Sequence, residues 1–244
     1  MPKSLVKLAS QAKENVGFLF IAIAVVVLLI AVAYAAEKLI NRKKPKETGT
    51  VGRTRRLTII AMLAAISTVL MVFDFPVWFV PPFYKMDFSE FPAIIGGFAL
   101  GPVAGITIEF LKVFLNLFIN GTDTAFVGEF ASFVMGSFFI VPASIIYYAK
   151  KTKGTALAGL ISGVLFATAA GCLLNAFLLI PTYSKLFHMP LEVIFGMGTE
   201  KNASVHNMFT FVTLLVAPFN LFKYTILSVL TLFSYKKIRV ILKG

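Results

Sequence analysis

Residues 155–181 read TALAGLISGVLFATAAGCLLNAFLLIP, a run without a single charged side chain. A membrane-spanning helix needs about 20 mainly apolar residues, so this stretch is long enough to cross a bilayer. Gly159, Gly163, Ala167 and Gly171 recur at four-residue intervals and lay a stripe of small residues along one face, where a neighbouring backbone can come close. Asn175 is the next residue on that stripe. A polar group at membrane depth is costly, which makes Asn175 a candidate for contact with something polar between helices.

The rest of the chain has the same character. Hydrophobic residues make up 58% of it and charged residues 14%, against about 45–50% and 25% in ordinary soluble domains. The chain therefore reads as an all-α, polytopic membrane helix bundle. Further apolar runs cover residues 16–36, 57–73, 88–100, 102–118, 125–148 and 208–235. The basic linker NRKKPKETGTVGRTRR separates the first run from the others. The sequence thus divides into residues 1–50, one extra transmembrane helix with a basic linker, and residues 51–244, a six-helix core. The net charge of +12 is spread over short clusters between apolar runs, as in cytoplasmic loops under the positive-inside bias. It does not form the aromatic-interleaved basic patch of a nucleic-acid binder, so no nucleic-acid partner is expected.

An even number of core crossings puts the linker, the Lys150–Lys153 loop and the C-terminal basic tail on one side, taken as the cytoplasm. The outer loops are then 74–87, 120–124 and 182–207. Ala33-Tyr34-Ala35 resembles a leader cleavage site, but cleavage would strand the basic linker outside, so the first helix is read as retained with its N-terminus outside, against the charge of Lys3, Lys7 and Lys13. The run 88–100 is short for a crossing, and Gly96, Gly97, Gly101 and Gly105 mark a tight turn into the next helix.

Polar residues converge in the outer half. At 1.5 Å per residue, Asn175 lies roughly 30 Å above the inner start of its helix, and Asn220 and Lys223 roughly 20 to 24 Å above the inner end of theirs. The spacing of Asn220 and Lys223 puts them on one helical face, with Pro218 just before them to open the backbone. Glu109 and Lys112 are spaced to neutralise each other, with Asn116 further along the same helix. Glu129 lies at the depth of the polar shelf, placed to answer Lys223 or to accept from a ligand hydroxyl. The loop FDFPVWFVPPFYKMDFSEFP, residues 73–92, serves either as an interfacial aromatic belt or as an aromatic cover for that shelf.

Catalytic signatures are missing. No H-E-x-x-H or G-x-S-x-G is present, and His188 and His206 stand in or beside an outer loop without ligand-spaced partners. The lone Cys172 offers no disulfide and no metal cluster. An intramembrane enzyme using Glu109 and Glu129 as an acid pair is the alternative from another class.

The ordered segments YKMDFSEFPAIIGGFALGPVAG, GEFASFVMGSFFIVPASIIY, LLNAFLLIPTY and APFNLFKYTIL, with Ala61-x-x-x-Ala65 ahead of them, resemble the substrate-binding S component of energy-coupling factor (ECF) transporters, most of all the riboflavin-specific branch. The resemblance covers residues 56–235 and leaves the first helix outside. It implies a non-enzymatic vitamin-capturing subunit of the cell membrane, with six core helices and an outward pocket lidded by the loop after the first core helix. Riboflavin would be the transported ligand and not a cofactor; another vitamin is the alternative within the family. The implied contacts are Asn175, Asn220 and Lys223, the loop residues Phe83, Tyr84, Lys85, Met86 and Asp87, and Glu129 and Asn116 of the polar interior. The implied partners are a transmembrane coupling protein, met through Ala61 and Ala65, and two ATP-binding subunits. This chain lacks the G-x-x-x-x-G-K-[ST] phosphate cradle those subunits would supply.

Overall fold

The computed structural model describes residues 16–42, 52–122 and 124–243. Lys3, Lys7 and Lys13, most of the basic linker with the boundary after residue 50, and the side chains of the basic tail lie outside the described residues. The elements are α1 (Val16–Arg42), α2 (Arg53–Val72), a two-stranded hairpin of β1 (Phe75–Pro76) and β2 (Lys85–Met86), α3 (Glu90–Leu100), α4 (Pro102–Asn120) and α5 (Val127–Lys150). They continue with α6 (Lys153–Leu174), α7 (Ile180–Leu186), α8 (Leu191–Thr199), α9 (Met208–Phe211) and α10 (Ala217–Lys243).

Six helical rods among these are long and apolar enough to cross a membrane: α1, α2, α4, α5, the continuous rod from α6 through α7, and the rod from α9 into α10. The short apolar α3 completes the six-helix core. The rod begun by α6 runs on to Leu186, so the outer loop expected over residues 182–207 is shorter than the sequence suggested and carries α8 as a helix of its own. Two π turns interrupt the long rods, Asn175–Leu179 and Val212–Val216, and each lies just ahead of a proline, Pro181 and Pro218. Proline has no N–H and its ring crowds the carbonyl one turn back, which favours a widened turn at these points.

Close packing holds the bundle, because lipid tails supply no hydrophobic drive between helices. The glycine stripe of α6 lies on the backbone of α5: a Cβ at Gly159 would sit 2.6 Å from the Ala143 carbonyl oxygen. The α3–α4 turn is made by Gly101 at φ +111°, a conformation that side chains rarely adopt. Beside it, Phe98 of α3 stacks on Tyr147 of α5 with ring centroids 4.2 Å apart. A second apolar cluster joins Val77, Val80 and Met86 of the loop after α2 to Ile180, Ile194, Phe211 and Phe219, roofing the opposite end of the bundle.

The extra helix α1 packs on α4 and α5. Phe18 meets Phe130 edge to face at 5.5 Å, and Ala33 is fully buried among Ile106, Val134 and Val141. At the other end of α1, Glu37 accepts from the Val103 backbone N–H at 2.9 Å and from the Arg56 guanidinium at 3.1 Å. That carboxylate fastens α1 to the start of both α2 and α4, where unpaired amides and the helix dipole favour a negative charge. Glu37→Ala should lower the melting temperature in detergent, reflecting a loss of about 1–3 kcal/mol as a part-buried N–H loses its acceptor. An unchanged melting curve would mean that apolar packing alone holds α1.

Candidate functional site

Under the roof of aromatic residues lies a polar chamber of about 170 Å³. Asn175 and Tyr183 reach it from the α6–α7 rod, and Phe219, Asn220, Lys223 and Tyr224 from α10. Phe83, Tyr84, Lys85 and Asp87 close it from the loop, and Gly128, Ala131, Ser132 and Met135 of α5 form the far wall. A larger, almost wholly apolar chamber of about 360 Å³ adjoins it, with Phe83 and Tyr183 lining both and Ile180, Phe187, Met189, Ile194 and Met197 around the rest.

Each π turn sets an asparagine in place. Asn175 opens the first and donates an amide N–H to the Gly171 carbonyl at 2.8 Å, and Asn220 follows the second and donates to the Val216 carbonyl at 2.9 Å. Both side chains are nearly fully buried. Back-bonding to the preceding turn fixes each carboxamide and leaves an oxygen and a second N–H as its remaining capacity. On Asn175 the oxygen accepts from the Tyr84 hydroxyl at 2.5 Å. The Tyr84 ring lies 5.5 Å from Phe219 and 4.7 Å from Phe83, so the loop is drawn down over the chamber. Burial pushes the Tyr84 hydroxyl well above its ordinary pKa, with Tyr183 and Cys172 adding to the effect, which keeps it a neutral donor.

Asn220 sits where α6 leaves room for it. A Cβ at Gly171 would come 2.7 Å from the Asn220 amide nitrogen, so Gly171→Ala should push the carboxamide out of register. The expected cost is about 1–3 kcal/mol, read as weakened ligand binding with the fold retained. Unchanged binding would mean that the Asn220 position has no influence on the ligand.

Lys223 is clamped between two carboxylates. Its Nζ lies 3.0 Å from Glu90 and 3.3 Å from Asp87, and the same Glu90 oxygen is 3.7 Å from Lys112. Lys112 in turn meets Glu109 at 2.7 Å and donates to the Ser89 hydroxyl at 3.0 Å. Pairing of this kind is what makes charges tolerable at membrane depth. Burial alone would raise the Asp87 carboxyl, but Lys223, Lys112 and the hydrogen bonds from Ser89 outweigh it and hold the group below the usual carboxylate range.

The structure brings Asn175, Asn220, Lys223, Phe83, Tyr84, Lys85 and Asp87 to one chamber and leaves three other candidates off its lining. Glu129 accepts from the Thr122 and Thr124 hydroxyls at 3.0 and 3.4 Å, and the partners of Lys223 are Asp87 and Glu90 in its stead. Asn116 accepts from Asn120 one turn along α4. Met86 is turned into the apolar roof by its strand pairing with Phe75, since alternate residues of a strand face opposite ways. Lys85 stands at the exposed rim, bonded to Asp74 at 3.1 Å. Glu90 was not a candidate from sequence, and its only signal was position, at the first turn of an apolar helix. Ala61 and Ala65 lie exposed along α2, away from the chamber. Among the described residues no cluster of His, Cys, Asp and Glu is placed to hold a metal ion.

The family model for the substrate-specific component of ECF transporters matches residues 55–235. The chain belongs to this family. Among curated relatives of this S component is the riboflavin transporter RibU of Staphylococcus aureus (strain TCH60), 32% identical over 78% of this chain and 94% of its own length. The riboflavin transporter FmnP of Bacillus subtilis (strain 168) is 31% identical over 77% and 93%. A solved S component of a bacterial ECF transporter superposes with a TM-score of 0.61 at 30% identity, covering 79% of this chain and all of that one. The S component is therefore a multi-pass membrane protein of a vitamin-transporter family, and α1 precedes the region its family model matches.

Proposed function

We propose that this S component captures riboflavin in the chamber beneath the 73–89 loop and hands it inward with the other subunits of an ECF transporter. The observation that carries the reading is the convergence of two fixed carboxamides and one ammonium on an aromatic-roofed chamber, in a chain whose relatives are riboflavin transporters. Riboflavin presents a uracil-like edge with one N–H donor between two carbonyl acceptors. The carboxamide of Asn220 offers the complementary acceptor and donor, and Lys223 donates to a ring carbonyl, a ring nitrogen or a ribityl hydroxyl. Phe83 and Tyr84 provide flat faces for the ring.

Ligand pockets usually enclose about 300–1,000 Å³, more than the polar chamber alone. Phe83, shared with the apolar chamber, is the wall whose movement would join the two, and the loop that carries it acts as the lid. The binding role replaces catalysis: Glu109 is held by Lys112 and Glu129 by two threonines, on different helices and outside the chamber lining.

The partners in this reading are a transmembrane coupling protein, docked on the Ala61 and Ala65 face of α2, and two ATP-binding subunits. The exposure of those small residues supports the docking face. The end of the bundle carrying Arg53 and the Lys150–Lys151 turn is cytoplasmic by its positive charge, which puts the chamber at the outer face. Helix α1, from the 1–50 segment, is read as a retained extra element on the 51–244 core, as the burial of Ala33 and the Glu37 contacts support.

Uptake of radiolabelled riboflavin into cells co-expressing an ECF module tests the whole assignment. Uptake that needs both this chain and an ATPase-competent module is expected. Equal uptake with an inactivated ATPase would contradict it.

A further inference from the structure

The ion network reaches beyond the groups that line the chamber. Glu90 is 2% exposed and does not line the cavity, yet one of its oxygens lies 3.0 Å from the Lys223 ammonium, closer than the Asp87 oxygen at 3.3 Å. That oxygen is in turn within 3.7 Å of Lys112, whose own position is set by Glu109 at 2.7 Å and by the Ser89 hydroxyl at 3.0 Å. Lys112 and Glu109 are fully buried and have no part in the ligand contacts argued above. A lysine carries a compact charge on a flexible four-carbon stem, so on its own it has no defined direction. Lys223 acquires one because a carboxylate beneath the chamber holds its head group, and a second ion pair keeps that carboxylate in place.

We infer that Glu90 is a positioning residue of the riboflavin site, acting on the ligand through Lys223. The inference rests on the proposed placement of riboflavin beside Lys223. Its physical content is a shared ammonium: Glu90 fixes where the N–H donors point, and the ligand uses those donors that the carboxylates leave over. Asp87 belongs to the loop that covers the chamber. Glu90 starts α3 and belongs to the bundle. Of the two clamping groups, Glu90 is therefore the nearer to the ammonium and the one carried by a core helix.

A double-mutant cycle on the full chain in detergent tests this. Riboflavin dissociation constants are measured by fluorescence quenching for the wild type, Glu90→Gln, Lys223→Met and the double variant. Glu90→Gln should weaken binding by about fivefold or more in the wild type and should change nothing further in the Lys223→Met background, as expected for residues coupled through one contact. It should also shift the absorption band of the bound flavin, because a displaced ammonium alters the field at the ring. Glu90→Asp keeps the charge but draws it back by one methylene, so it should fall between wild type and Glu90→Gln; it serves as the test if Glu90→Gln fails to fold. Equal losses in both Lys223 backgrounds, or no loss in either, would overturn the inference. Unchanged binding in Lys223→Met alone would instead remove Lys223 from the site, and with it the reading on which the inference rests.

Discussion

Lys223→Met is expected to weaken riboflavin binding about 10- to 100-fold and to lower the melting temperature of the unliganded protein. The two effects have different origins. A charged donor to the ligand contributes about 1.5–3 kcal/mol, where 1.4 kcal/mol is about tenfold in affinity. The stability loss arises because the buried Glu90 and the half-buried Asp87, both paired with Lys223, are left with their counter-charge removed. Breaking a buried pair from one side costs about 3–5 kcal/mol, although Lys112 remains near Glu90 and absorbs part of it. Equilibrium titration in detergent reads the first effect and thermal unfolding without ligand reads the second. A variant with wild-type affinity would place the ligand elsewhere, whatever its stability.

Ala61→Trp and Ala65→Trp are expected to abolish riboflavin uptake in cells and leave binding by the purified protein unchanged. Both alanines are exposed on α2, a turn apart, while Ala64 between them is buried against the core. The α2 surface thus presents one small-residue strip outward and keeps its packing face inward. Helices in lipid associate through close backbone approach, so a bulky ring on that strip would hold a partner helix off by several ångströms without disturbing the bundle. Uptake by transformed cells and titration of the isolated protein separate the two functions. Loss of binding in these variants would place the strip in the core or the pocket; full uptake would exclude it from docking.

The fold was legible because hydropathy is read residue by residue, and the long apolar runs at 102–118, 125–148 and 155–181 needed no knowledge of contacts. Asn175, Asn220 and Lys223 were legible for the same reason, as expensive polar groups in apolar helices. Glu90 was not, because the stretch DFSEFP straddles loop and helix and an acid there looks solvated. Only the packing of α10 against α3 shows it to be sealed in beside Lys223. Glu129 shows the converse limit. Its depth in the membrane was readable, but its bonds to the Thr122 and Thr124 hydroxyls depend on loop geometry that hydropathy does not carry. The two π turns left a partial signal in Pro181 and Pro218, and the reading of Pro218 as a local opening anticipated the widened turn just ahead of it.

The most direct test of the riboflavin assignment is a titration of the purified, full-length protein in detergent, followed by flavin fluorescence. Quenching that saturates at one riboflavin per chain, and that Lys223→Met weakens, is the predicted result. Flavin fluorescence that stays constant through the titration, with a protein that melts cooperatively, would contradict riboflavin as the ligand of this chamber.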